Sequence, residues 1–150
     1  MQERFETFTV LINRISRDIR KIKNQEMADY HIRGAHVSCL YYVYSLGSVT
    51  SAELCEHCEE DKATISRAVD YLETNGFLLR DTGAKRYKSP LLLTEKGREA
   101  GKRIAEKIGS ILETISHALT ENERIEFYRC LSTISRSLET IVQNSEEKEM

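Results

Sequence analysis

Apolar residues recur along three stretches of this chain at alternating steps of three and four. Phe5, Phe8, Ile12, Ile15, Ile19 and Ile22 form the first stretch. Ile104, Ile108, Ile111, Ile115 and Ala118 form the second, and Phe127, Leu131, Ile134, Leu138 and Ile141 the third. Such steps keep one face of an α-helix apolar, so each stretch predicts a helix with a narrow apolar seam. A narrow seam suits packing on another helix better than packing on a sheet. Thr120 and Glu123 have the spacing of a capping box and separate the second helix from the third. Two arrangements satisfy these seams: three core helices of a monomer, or a homodimer built from both termini. Long seams flanking a compact middle favour the dimer.

The middle follows a different pattern. In "SCLYYVYSLG", Leu40, Val43 and Tyr44 share one helical face, and Gly47 stops the helix. Thr50 and Glu53 form another capping box, which opens a short helix carrying Leu54, Cys55 and Cys58. After the turn "EED", a helix is expected from about Lys62 to Asn75 with Ile65, Ala68, Val69 and Leu72 inward and Gly76 as its stop. "FLLRDTGAKRYKSPLLLT" then reads as strand, basic turn and strand, with Pro90 marking the return strand as an edge or a bulge. Thr94 caps the long helix that follows, although Gly97 and Gly101 weaken its first turns.

Helix, tight turn, helix and a basic-tipped hairpin make a winged helix-turn-helix. The predicted fold is mainly α with a small β-wing. The winged helix-turn-helix occupies about 36–94, and dimerisation helices lie at about 1–33 and 104–143. Residues 144–150 form an acidic tail.

Composition narrows the class further. A chain of 150 residues can bury a core as one domain. No apolar run approaches the roughly 18–20 residues needed to cross a bilayer, and the N-terminus lacks the layout of a signal peptide. A cytoplasmic protein without membrane partners is expected. Its cysteines Cys39, Cys55, Cys58 and Cys130 then default to thiols in a reducing compartment. The formal net charge of −2 is not that of a bulk nucleic-acid coater. From Lys62 to Lys88, however, Lys62, Arg67, Arg80, Lys85, Arg86 and Lys88 stand against Asp70, Glu73 and Asp81. A sequence-specific binder needs only such a local basic face.

In a winged motif the second helix enters the major groove and the wing follows the backbone or the minor groove. The helix face opposite Ile65, Val69 and Leu72 presents Ala63, Ser66, Arg67 and Asp70, with Lys62 and Thr64 on its flanks. Small and hydroxylated residues there let the backbone approach the bases. The Arg67 fork matches the O6 and N7 edge of guanine, whereas Lys62 and Thr64 suit phosphates. The candidate DNA contacts are therefore Lys62, Ala63, Thr64, Ser66 and Arg67 on the helix, with Lys85, Arg86 and Lys88 on the wing.

At these residues the chain resembles the MarR family of bacterial transcription regulators. "DKATISRAVDYLETNGFLLR" and the exit "LLLTEKG" carry the likeness, supported by "LYYVYSLGSVTSAELCEHC", "LTEKGREAGKRI" and "ALTENERIEFYRCL". The resemblance implies a homodimer with interlocked terminal helices, sitting on a palindromic operator of double-stranded DNA. It also implies repression relieved by a small-molecule effector. The chain departs from the family pattern in the wing, where Ala84 replaces an expected acid and Pro90 is unusual. It departs again in the turn, where Glu59 and Glu60 replace glycine and an apolar residue. Glu59 must then accept a left-handed backbone or reshape the turn.

Laid on this fold, Cys55 packs against the second helix and Cys58 precedes the turn, so both are expected in the core. His57 lies about 200° round the helix from Cys55, so the three cannot converge on one ion without unwinding. Glu53, Glu56, Glu59 and Glu60 should raise the thiol pKa values. A "LCVC"-like motif occurs in the same helix of some ArsR-family metal sensors, which leaves a thiol- or metal-responsive sensor using Cys55 and Cys58 as the alternative. An effector pocket is expected at Arg33, His36, Tyr41 and Tyr44, with Tyr30 nearby and Arg33 placed to meet an anion. No phosphate loop, nucleophile elbow or zinc motif appears, so neither an enzyme nor a cofactor is expected.

Overall fold

The computed structural model describes residues 2–80 and 88–149, and the side chains of 6–80 and 88–148. Six helices and a two-stranded sheet follow one another in the order helix α1 (Gln2–Glu26), α2 (Ala35–Leu46), α3 (Ser51–Cys58), α4 (Lys62–Thr74), strand β1 (Leu78–Arg80), β2 (Leu91–Leu93), α5 (Glu95–His117) and α6 (Glu121–Glu149). A short 3-10 turn, Ala28–Tyr30, links α1 to α2. The chain divides into two compact units, Met1–Gly109 and Ser110–Met150.

The first unit holds the core. Leu40 and Val43 from α2, Leu54 from α3, and Ile65, Val69 and Leu72 from α4 are fully or almost fully buried. They meet Phe77, which precedes β1, Leu78 and Leu91 from the sheet, and Ile104 from α5. Burial of this kind is the main stabilising term, at roughly 25 cal/mol per Å² of apolar surface. The sheet is antiparallel, with Leu78 opposite Leu93 and Arg80 opposite Leu91. The backbone N–H of Leu91 donates to the Val49 carbonyl at 2.8 Å. Immediately after Pro90, the return strand therefore has bonds on both sides, not those of a bare edge.

The expected helix starts are present. The Thr50 hydroxyl accepts from the Glu53 N–H, while the Thr50 N–H donates to the Glu53 carboxylate at 2.7 Å. Thr94 Oγ1 accepts from the Gly97 N–H at 3.0 Å and donates to the Gly76 carbonyl at 2.5 Å. It thus caps α5 while fastening it to the end of α4. Gly97 has a positive reason to be glycine: a Cβ there would lie 2.0 Å from the Phe77 carbonyl oxygen. A Cβ on Gly101 would press into the Tyr44 side chain at 2.7 Å. These glycines cost helix propensity and gain a close helix approach.

In the second unit the Thr120–Glu123 capping box opens α6, with Thr120 N–H donating to the Glu123 carboxylate at 2.8 Å. The apolar positions Leu112, Ile115, Phe127, Leu138 and Ile141 are exposed in the isolated chain. On α1, within the first unit, Val10, Leu11, Ile12 and Ile15 are exposed as well.

Candidate nucleic-acid interface

The entry to α4 is built from polar residues. Glu59 closes α3 in a left-handed conformation, φ 52° and ψ 40°, as its place in the turn requires. Its neighbour Glu60 donates its N–H to the Cys55 carbonyl at 3.3 Å. Asp61 then caps α4 by accepting from the Thr64 N–H at 2.7 Å. That bond holds the Asp61 carboxyl below the usual range, with help from the Thr64 hydroxyl. A carboxylate at a helix N-terminus also suits the positive end of the helix dipole.

Helix α4 is sharply two-sided. Ile65, Ala68, Val69 and Leu72 are buried, whereas Lys62, Ala63 and Arg67 are exposed and Thr64 and Ser66 half-buried. Nη2 of Arg67, one terminal nitrogen of the guanidinium fork, donates to Thr64 Oγ1 at 3.4 Å. Lys88 is exposed beside β2. Lys85 and Arg86, the other two wing positions singled out from the sequence, lie outside the described residues, as does Ala84.

Arg80 does not belong with the outward cations. It donates to Glu73 at 2.6 Å and lies 3.5 Å from Asp70, with a side chain only 15 % exposed. Sequence charge counting placed it on the basic face. The structure gives it a different task, tying β1 to the outer turn of α4. The pair spans the end of a helix and the start of a strand, so no helical spacing rule could have announced it.

The four expected effector residues separate into different places. Arg33 and His36 share a cavity of about 480 Å³ with Asn24, His31 and Tyr71. The His36 ring stacks on Tyr71 with centroids 4.2 Å apart and an 11° interplanar angle. Tyr71 O–H donates to the His31 carbonyl at 2.9 Å. Nδ1 of His36 is buried without a hydrogen-bond partner among the described residues. Burial, and then the Arg33 charge, push the His36 pKa down. Tyr41 instead packs edge-on against Tyr42 at 5.2 Å, and Tyr44 faces Gly101. Tyr30 meets Phe77 edge-on at 6.2 Å. None of these three tyrosines lines the cavity.

The cysteines require a correction. Cys55 and Cys58 are half-buried against the core, and buried Cys39 on α2 is hydrogen-bonded to Cys58. The expectation that nearby acids raise the thiol pKa fails for Cys58, whose pKa is lowered. The Cys39 hydrogen bond outweighs burial and the Glu60 charge, with Lys23 adding to the lowering. Cys39 is correspondingly pushed up by giving that bond and by its burial. His57 is exposed and stacks on Tyr42 at 5.3 Å. Among the described residues, no three His, Cys, Asp or Glu side chains are grouped to hold a metal ion. No described helix is long and apolar enough to cross a membrane.

Comparison with known proteins matches this arrangement. The MarR family model covers residues 32–86, from just before α2 to a point beyond β1 and short of β2. An uncharacterised HTH-type transcriptional regulator of Bacillus subtilis (strain 168), YwoH, is 25 % identical over 97 residues, which is 65 % of this chain and 71 % of that protein. A MarR family regulator from Neisseria meningitidis has the same fold, with a TM-score of 0.80 at 18 % identity, covering 95 % of this chain and 98 % of that one. S. aureus MepR, in its complex with DNA, superposes with a TM-score of 0.76 at 19 % identity over 87 % of this chain and 97 % of that one. The segment that carries the helix-turn-helix thus matches the MarR family model, and the fold is that of solved MarR family regulators.

Proposed function

We propose that the protein is a homodimeric repressor that occupies a palindromic operator and leaves it when a small-molecule effector binds. Members of the family regulate transcription and are not enzymes. The observation that carries the DNA reading is the two-sidedness of α4: one face wholly committed to the core, the other offering Lys62, Ala63 and Arg67 to solvent. The MepR–DNA complex, a relative in fold, is a precedent for the same scaffold on a duplex. Arg67 reads a base edge, Thr64 and Ser66 allow close approach, and Lys62 and Lys88 hold phosphates. Lys85 and Arg86 extend the wing's contact along the backbone.

One such helix covers only a few base pairs, so discrimination calls for two, with centres about 34–36 Å apart on the duplex. The exposed seams of α1 and α6 supply apolar surface for a second copy. A dimer clamped over two grooves blocks transcription from the DNA it covers. The Arg33–His36–Tyr71 cavity supports the effector part of the reading. Arg33 offers a cation to an anionic ligand, and Tyr71 belongs to α4, so a bound ligand acts on the recognition helix directly.

Fragments selected from genomic DNA provide the palindrome for a test by fluorescence anisotropy. Binding should be far tighter to the palindrome than to its isolated half-site, and steeply salt-dependent. A salt-insensitive response, or equal affinity for palindrome and half-site, would overturn it.

A further inference from the structure

His36 is the second residue of α2, and its ring lies flat against Tyr71 of α4. Nδ1 of that ring is buried and has no hydrogen-bond partner among the described residues. The groups around the imidazole would leave a positive charge on it uncompensated. Asn24 of α1 and Ala28 of the 3-10 turn are neutral, Tyr71 is a phenol, Arg33 is a cation and His31 can become one. The Asn24 side-chain oxygen already accepts from the Gly34 N–H at 2.9 Å. Acids on the neighbouring elements are engaged by other cations: Glu26 by Arg103 and Lys107, Asp29 by Arg103, and Glu73 and Asp70 by Arg80. The first turn of α2 is also the positive end of its helix dipole.

We propose that the His36–Tyr71 stack is a proton-operated latch on α4, closed while the imidazole is neutral and opened when acidification charges it. In the neutral ring the proton sits on Nε2, and the buried Nδ1 carries only a lone pair. Protonation adds an N–H at Nδ1, which then points into a space without an acceptor. Tyr71 cannot serve, because the N–H bonds lie in the plane of the imidazole while the phenol covers its face. A buried, unpaired charged donor is costly, so the imidazolium leaves the stack for water. Burial, and then Arg33, accordingly hold the His36 pKa below its ordinary value. The neutral stack stabilises the chain fully above about pH 6.5, the ordinary histidine value, and that contribution is lost as pH falls through the lower folded value.

With the latch open, Tyr71 loses the ring that covers it and keeps its hydrogen bond to the carbonyl of His31, the left-handed residue that ends the 3-10 turn. Arg67 stands one turn before Tyr71 on the same helix. Loosening Tyr71 lets the outward face of α4 move against the core, and operator affinity falls in acid. Simple charge counting predicts the opposite. Protonating the exposed His31 and His57 makes the chain more positive and would tighten any contact with phosphates.

Two measurements on the full chain provide the test. The ring Cε1–H of His36, followed by NMR, should titrate at lower pH than those of His31 and His57, and the Tyr71 ring signals should move with it. From about pH 7.5 to about pH 5.5 at fixed ionic strength, operator affinity should fall roughly fivefold or more and recover on return to neutral pH. His36→Phe keeps a flat ring on Tyr71 with nothing to protonate, so its affinity should hold or rise over the same range. His31→Gln and His57→Gln should retain the fall. A His36 ring that titrates at or above the other two, or a fall undiminished in folded His36→Phe, would overturn the latch. The NMR titration uses the wild type and decides the matter even where a variant fails to fold. The affinity arm rests on the operator reading, whereas the ring titration does not, so the two can fail separately. A lowered titration without change in affinity would overturn the control of DNA.

Discussion

Nε of Arg80 donates to Oε1 of Glu73 at 2.6 Å, joining the first wing strand to the recognition helix through a pair that is three-quarters or more hidden from solvent. Hydrogen bonds with charged partners are worth about 1.5–3 kcal/mol net, and a shielded one keeps most of that. Arg80→Gln should lower stability by about that amount and weaken every DNA sequence tested. Glu73→Gln should have a similar effect on stability, and the double variant should cost less than the sum. Urea unfolding of the four proteins gives the coupling energy, and additivity within error would show that the pair is idle.

Arg67 and Lys88 are both exposed cations, yet they should fail differently. Arg67→Ala is expected to cost about 1–3 kcal/mol on the best site and to relax preference at one base pair. Lys88→Ala should weaken all sequences alike and reduce the salt slope by about one unit. Anisotropy titrations against a set of singly substituted operators, at several salt concentrations, separate the two behaviours.

The φ of 52° at Glu59 is an uncomfortable value for a residue with a Cβ. Glu59→Gly should therefore stabilise the chain by about 0.5–1 kcal/mol, because relief in the folded turn exceeds the added freedom of the unfolded chain. A thermal melt of the reduced protein reads this directly. A lower melting temperature would mean that the glutamate side chain contributes more than its backbone costs.

Leu138 is 49 % exposed on α6 in the single chain, at the centre of a seam. In a homodimer, Leu138→Glu buries an unpaired carboxylate and should cost several kcal/mol, on the order of the penalty for an unsatisfied polar group. Sedimentation should show the wild type as a dimer and the variant as monomer or unfolded chain. Palindrome affinity should fall with dimerisation even though no base is touched. A monomeric wild type would remove the basis of this prediction.

Much of the fold was legible because its signals are local. The Thr50–Glu53 and Thr120–Glu123 boxes are read from residues three apart, and the structure closes both. The inward face of α4 follows from periodicity alone, and Ile65, Ala68, Val69 and Leu72 are all buried. For Glu59 the resemblance left two outcomes, a left-handed backbone or a reshaped turn, and the structure takes the first. What stayed hidden depends on which elements become neighbours. Cys39 and Cys58 look like separate core residues until α2 and α3 are placed together. Arg80 counts as a DNA-facing charge until β1 lies along α4. The effector reading suffered likewise: Arg33 and His36 are close in sequence and in space, but their aromatic wall is Tyr71, from a different helix.

Gly97 and Gly101 bear on how this protein can drift. Every missense change in a glycine codon adds at least a Cβ, and at position 97 that atom meets a backbone carbonyl that has no rotamer with which to retreat. Position 101 confronts Tyr44 first at its Cβ, an atom fixed to the backbone that no rotamer change moves away. The slot where α5 docks is consequently closed to gradual exploration. Lineages can vary the surface of this helix freely, but a change at either glycine arrives as a wedge, and its carrier must reposition a whole helix or be lost.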